Sequence, residues 1–242
     1  MTLLSGQISP IVEGLKDWLY SRAEDRTETY IFRRLKERGF RPSVILDIGA
    51  YEGAWSKDMH AIFPGTEFIL VEPLEEKSEE LRTLSLDNVT VLNALLGEQS
   101  EERTFYEMET GSSYYPENTD FDRKTTKKTV VTANELLDDF DLSGGLVKID
   151  AQGAELDILK GATDILPDID ALYLEVSLVN YNEGSPRAED VIEYLFERGF
   201  KMYDIGTKHR RGGQLIQVDL LFINDDVSLP ETWKTDAKSG NV

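Results

Sequence analysis

The stretch Val44-Ile45-Leu46-Asp47-Ile48-Gly49-Ala50-Tyr51-Glu52-Gly53-Ala54-Trp55 decides how the chain is read. Three of its first four residues are large aliphatics, which predicts a strand buried on both faces, and the run breaks at Gly49. Gly53 follows, just where a polar segment of helical character, Ser56 to Ile62, begins. A strand, a glycine turn and a helix in succession form a cradle for the polar part of a nucleotide-like ligand. Glycines let the backbone come close, and the helix start offers free N–H groups. A dinucleotide fingerprint would place three glycines as G-x-G-x-x-G. Here there are two, and Asp47 stands at the strand end. A fixed carboxylate is a poor neighbour for a diphosphate and a good one for a cation or an ammonium group, so the stretch favours a positively charged ligand. An ordinary βα turn is the plain alternative.

Outward from this unit, strands and helices alternate, as in a parallel sheet covered on both faces. Pro64-Gly65 turns the chain into a second strand, Glu67 to Val71, which stops at Glu72-Pro73. Glu72 stands at the spacing from Gly53 at which an acid accepts hydrogen bonds from ribose hydroxyls. A helix over Leu74 to Leu84 leads to a third strand, Val89 to Leu92. Asn93-Ala94 follows, where either an adenine edge or a simple turn can be served. Glu102 to Glu109 reads as a short extra strand. Beyond it a long polar loop runs from Gly111 through Ser112-Ser113-Tyr114-Tyr115 to Lys128 and is expected to rim a substrate site. Thr132-Ala133-Asn134-Glu135 is a capping box that starts a helix running to about Phe140.

Leu146 to Asp150 and Leu172 to Val176 read as the fourth and fifth strands, the first ending in Asp150 and the second carrying Glu175 near its end. Ser185-Pro186 predicts a helix start. Lys201 to Ile205 and Val218 to Ile223 predict a closing antiparallel pair, with His209 in a loop from Gly206 to Gly213. Before the opening unit two helices are expected, the second over Thr29 to Arg38 with Gly39 as its exit.

Two motifs carry a family resemblance. Asp47-x-Gly49-x-x-x-Gly53 after a hydrophobic strand resembles motif I of the class I S-adenosylmethionine-dependent methyltransferases. Lys148-Ile149-Asp150-Ala151-Gln152-Gly153-Ala154-Glu155-Leu156-Asp157-Ile158-Leu159-Lys160-Gly161-Ala162 is similar to the K-I-D-x-E-G-A-E-x-x-x-L-K-G-A block of FkbM-type methyltransferases. The likeness extends from about Val44 to Asn224, takes in Gly111-Ser112-Ser113, and departs at Gln152, where the family pattern has glutamate.

The resemblance implies an α/β fold: a Rossmann-like, seven-stranded, mostly parallel sheet with helices on both faces. It implies S-adenosyl-L-methionine as cofactor, held by Asp47, Gly49, Ala50, Tyr51, Gly53, Glu72, Pro73, Asn93 and Ala94. It also implies O-methylation of a hydroxyl on a sugar or other small metabolite. Ser112 and Ser113 would face the substrate, and Asp150, Glu175 and His209 are candidates for the base that takes the hydroxyl proton. His60, on the first helix of the unit, reads as structural. The domain is expected over 43–224, after an N-terminal helical extension, 1–42, and before a polar tail, 225–242. Rival readings are a nicotinamide-dependent oxidoreductase, from the Gly53 to Glu72 spacing, and a non-catalytic cofactor-binding protein, from Gln152.

Composition sets the outer limits. The 242 residues suffice for one domain with a full core. The absence of cysteine removes disulfides and thiolate metal sites. No histidine pair or tight carboxylate cluster in the sequence asks for a metal. No apolar run is long enough to span a membrane and no leader pattern opens the chain, so a cytoplasmic protein without a membrane partner is expected. The net charge of −20 repels phosphate backbones and argues against nucleic acid as substrate. The basic clusters, Arg123-Lys124 with Lys127-Lys128 and Lys208 to Arg211, read as solvated loops.

Overall fold

A computed structural model describes residues 28–230, apart from 109, 110 and 121. The first expected N-terminal helix and most of the C-terminal tail lie outside these residues. The second helix is present as α1, Glu28–Glu37. The core unit then runs β1 (Val44–Ile48), α2 (Ala54–Ile62), β2 (Glu67–Val71), α3 (Glu75–Arg82) and β3 (Val89–Leu92). After an inserted sheet come α4 (Ala133–Leu136), β7 (Gly145–Ile149), α5 (Glu155–Lys160), β8 (Ile169–Ser177), α6 (Ala188–Phe196), β9 (Phe200–Arg211) and β10 (Gln214–Asn224).

The main sheet has seven strands in the order β3-β2-β1-β7-β8-β10-β9. The first five are parallel, and β10 pairs antiparallel with both β8 and β9. The order reverses between β1 and β7, the switch point at which open α/β sheets bind ligands.

Every residue of β1 is buried, as a doubly covered strand requires. Alternate side chains enter two cores. Val44, Leu46 and Ile48 join α4, α5 and α6 through Ala133, Leu159 and Leu195. Ile45 joins α1 and α2 through Phe32, Leu35 and Met59. Helix α1 is therefore an integral layer of the fold. Phe32 meets Trp55 and Tyr173 edge to face, with ring centroids 5.6 and 5.1 Å apart.

Three local expectations need correction. The polar run after Tyr115 is not loop throughout: Lys124–Val131 forms β6, paired antiparallel with β5 (Glu101–Glu107) and parallel with the short β4 (Leu95–Leu96). It is the middle strand of this small sheet, and pairing with strands on both sides outweighs its low hydrophobicity. His209 lies within β9, not in a loop. The chain reverses only at Gly212-Gly213, both at positive φ, the two-residue turn that a twisted hairpin prefers. Lys208 to Arg211 therefore stand on a strand. The helix expected from Ser185-Pro186 starts later, at Ala188, where Asp190 accepts the Arg187 N–H at 2.9 Å.

Phe32 is fully buried between helix and sheet, so Phe32→Ala is expected to cost about 3–5 kcal/mol in denaturant unfolding. A loss near 1 kcal/mol would mean that α1 only rests on the fold.

Candidate active site

A cavity of about 240 Å³ opens at the switch point. Its walls include Gly49 and Tyr51 after β1, Glu72 to Leu74 after β2, Ala94 to Leu96, Gly111 to Tyr114 from the inserted segment, and Asp150 to Gln152 after β7. Most of this lining is apolar, and the carboxyl groups of Glu72 and Asp150 stand on either side of β1.

The two glycines of the opening stretch are required by the protein's own packing. A Cβ on Gly49 would lie 2.0 Å from the Asp150 carbonyl oxygen, and one on Gly53 2.6 Å from a Leu84 methyl. Both residues also take positive φ, 79° and 70°. Gly49 still borders the cavity, but Gly53 and Ala50 do not.

Asp47 does not face the cavity either. Its carboxylate is fully buried, accepts the Ser56 hydroxyl at 2.6 Å, and lies 3.7 Å from the Lys148 ammonium. It ties β1 to α2 and β7, and burial pushes its carboxyl pKa up against the pull of Lys148.

Glu72 does reach the cavity. One carboxylate oxygen accepts the Tyr51 N–H and the other the Leu74 N–H, each at 2.9 Å, so the side chain is held without a cation. Burial raises its pKa. The Asn93 amide donates to the Glu72 carbonyl at 2.8 Å and to the Ser78 hydroxyl at 2.9 Å. These bonds brace the chain after β3, and Ala94 is the neighbour that lines the cavity.

The inserted segment is pinned as a rim. Tyr114 and Tyr115 both donate to Asp157 of α5, at 3.1 and 2.9 Å, and Arg103 lies 4.2 Å over the Tyr114 ring. Ser112 exchanges hydrogen bonds with the Met108 backbone, and Ser113 accepts the Tyr115 N–H. Both hydroxyls thus shape the rim they line.

Beyond β7 the chain makes a tight turn, with Gln152 at φ 51° and Gly153 at φ 99°. Glu155 rivets it, accepting the N–H groups of Ala151 and Gly153 at 3.0 and 3.1 Å. The turn presents Asp150 and Gln152. Lys148 donates to Asp150 at 3.1 Å. The Gln152 amide donates to both Asp150 and Glu175 at 2.9 Å. Although burial opposes the charge, Lys148 and Gln152 hold the Asp150 pKa below the usual carboxylate range.

Glu175 and His209 come together but stand behind this pair, outside the cavity lining, 3.1 Å from one another. Asp219 of β10 completes the group, 3.9 Å from His209. Asp219 and Glu175 push the imidazole pKa up to about 9, and burial, with Asp150 next, pushes the Glu175 carboxyl up to about 8. Sequence reasoning missed Lys148, Glu155 and Asp219 as working residues. Lys148 and Glu155 lie inside the second motif and could have been found there. Asp219 reads as one acid in an apolar strand, and only strand pairing places it opposite Glu175.

The Methyltransferase FkbM domain model matches residues 47–202. The chain belongs to this family. FkbM methyltransferases act with S-adenosyl-L-methionine, and this chain is an S-adenosylmethionine-dependent methyltransferase. No curated protein matches it significantly.

Among solved structures, the precorrin-6y C5,15-methyltransferase of Geobacter metallireducens is 15% identical, covering 79% of this chain and 85% of its own, with a TM-score of 0.46. A putative RNA methyltransferase of Pyrococcus horikoshii is 16% identical, covering 83% of each chain, with a TM-score of 0.46. Aeropyrum pernix fibrillarin, which carries bound S-adenosyl-L-methionine, is 12% identical over 76% of this chain and 67% of its own, with a TM-score of 0.49. The class I methyltransferase fold of the FkbM chain rests on its own strand order and on the family match. No helix among the described residues is long and apolar enough to cross a membrane.

Burial raises the Glu155 pKa from 4.5 to about 7, so folding favours its protonated form. The stability this contributes is fully present below about pH 4.5 and is lost as pH rises through about 7. Glu155→Gln keeps an oxygen for the two N–H groups and removes the titration. Between about pH 5 and pH 8 the stability gap between variant and parent is expected to shift in the variant's favour by up to about 3 kcal/mol. A gap that stays constant with pH in parallel melts would show that Glu155 is ionised throughout.

Proposed function

We propose that this FkbM methyltransferase transfers its methyl group to a hydroxyl oxygen of a sugar or other small metabolite. The observation that carries the reading is a single cavity with Glu72 on one side of β1 and Asp150 on the other. The donor set suits the cofactor: Glu72 is fixed by two backbone N–H groups and keeps lone pairs for ribose hydroxyls, and Leu74, Ala94, Leu95 and Leu96 offer apolar walls for a base. S-adenosylmethionine supplies an electrophilic methyl group on a sulfonium centre.

Asp150 is the residue placed to receive the acceptor's proton. An alcohol oxygen gaining a methyl group becomes strongly acidic, so the base has to be ionised and in place rather than strong. Lys148 secures the ionisation, and Lys148 with Gln152 secures the place. Fixing the acceptor oxygen in line with the methyl group supplies the rest, since positioning alone is worth up to about 7–11 kcal/mol in favourable cases. Gln152 supports turnover on this reading, because its amide binds two carboxylates that a glutamate in its place would repel. The charge of −20 favours a small acceptor over a polyanion.

Calorimetric titration is expected to show micromolar binding of S-adenosylmethionine and of S-adenosylhomocysteine, and none of NAD. Glu72→Gln should weaken both by about 10- to 100-fold, the worth of a hydrogen bond to a charged group. Asp150→Asn should leave cofactor affinity within a few fold and lower kcat by about 10²- to 10⁴-fold on a hydroxylated acceptor. Heat with NAD alone would return the protein to the oxidoreductase reading. Unchanged turnover in Asp150→Asn would remove Asp150 as the base.

A further inference from the structure

Glu175, His209 and Asp219 each offer one ligand atom, and these three atoms lie within 4.8 Å of one another. We propose that they bind a divalent first-row transition cation, such as Mn²⁺ or Zn²⁺, behind the Asp150 and Gln152 wall of the cavity. Atoms bound at about 2.1 Å to one ion stand about 3 Å apart at a right angle and about 4 Å apart at wide angles. His209 Nε2 lies 3.1 Å from Glu175 Oε2 and 3.9 Å from Asp219 Oδ1, which spans that range. The longer separation exceeds any imidazole–carboxylate hydrogen bond, so one proton on Nε2 cannot bond both acids.

The carboxylates are prepared for the role. Glu175 commits Oε1 to the amides of Gln152 and Gln217, at 2.9 and 2.7 Å, which leaves Oε2 for the ion. Asp219 commits Oδ2 to the Tyr173 hydroxyl at 3.1 Å and turns Oδ1 toward His209. Neutral donors holding the far oxygen of each ligand are what an outer shell provides, fixing orientation without cancelling charge. Gly206 makes room for this arrangement, since a Cβ there would strike the Tyr173 hydroxyl at 2.1 Å.

Charge points the same way. Asp150 lies next to the trio through Gln152, and Glu28 of α1 bonds Thr207 close to Asp219. Four acidic side chains are gathered here, beside Lys148 and His209. Two carboxylates and an imidazole form an N/O set suited to Mn²⁺, Fe²⁺ or Zn²⁺. Three protein ligands leave coordination positions open, and His209 is 40% exposed, so those positions are reachable. On the hydroxyl-methylating reading, which only this last step needs, an open position would take an acceptor oxygen next to Asp150 and favour acceptors with two neighbouring oxygens.

The site itself is tested without cofactor or acceptor. Untagged, metal-stripped protein is titrated with Mn²⁺, free ion being followed by electron paramagnetic resonance, and then with Zn²⁺ in a weakly buffered solution. One equivalent of either ion should bind, with proton release as His209 is deprotonated. His209→Ala and Glu175→Gln should each abolish stoichiometric binding. Gln217→Leu should weaken it about 10- to 100-fold, and His60→Ala, the other histidine of the chain, should leave it intact. Circular dichroism establishes that each variant is folded. Absence of binding by both ions, or binding that survives in folded His209→Ala, overturns the proposal. Because no methyl donor is present, a silent S-adenosylmethionine titration would refute the function proposed above and leave this result standing.

Discussion

The carbonyl of Asp150 sits where a side chain on residue 49 would be. This crowding is the constraint on which the site depends. β1 and β7 are neighbours that must diverge at their ends for a cleft to form, yet the Asp150 N–H still bonds the Ile48 carbonyl at 3.0 Å. The Gly49 N–H at the same level bonds the Val71 carbonyl at 2.9 Å. Three strand ends are thereby locked together at the level where β2 and β7 give way to Glu72 and Asp150. Gly49 serves the ligand by letting the strands close ranks, and the groups that meet the cavity are supplied by β2 and β7.

A second tier of buried polar groups keeps this geometry rigid. Asp47 and Lys148 lie on adjacent strands, Asp47 holding Ser56 of α2 and Lys148 holding Asp150. Glu155 fixes the turn from below with two backbone bonds. None of these groups meets the cavity, and each decides where one that does will point. Removing one member leaves its partner buried and unpaired, which costs more than the bond itself contributed. Strain follows the same division, for Tyr51 and Gln152 take positive φ within the two turns that border the cavity.

Legibility in the sequence followed the range of the interactions. Strands β1, β2 and β7 were readable because burial on both faces writes itself as a largely aliphatic run, and each was followed by a glycine or an acid. Glu72 and Asp150 were readable because strand ends converge at a switch point whatever the loops do. What failed was non-local. β6 has the composition of a loop, and only its partners β4 and β5 make it a strand. Asp47 reads as a ligand because motif and position agree, whereas its burial depends on Ser56 and Lys148 from two other elements. His209 was displaced into a loop because Gly206 resembles a turn residue, while its real reason is the Tyr173 hydroxyl pressed against it.

The departure at Gln152 joins both tiers. The acids that end β7 and β8 share a single amide, whose two N–H donors are divided between Asp150 and Glu175. A glutamate there would bring a fourth acid to a place already holding Asp150, Glu175 and Asp219, and one proton or cation more would be needed to balance it. The amide removes that need and leaves the negative charge concentrated one step further from the cavity, where β8, β9 and β10 meet. Because β10 runs antiparallel to β8, it can set Asp219 directly opposite Glu175. The hairpin with β9 then brings His209 over both, across a bulge that shifts the pairing between Val218 and Leu220. Reversed strands at one edge of a parallel sheet thus bring side chains from mid-strand, where five parallel strands alone would offer only their ends.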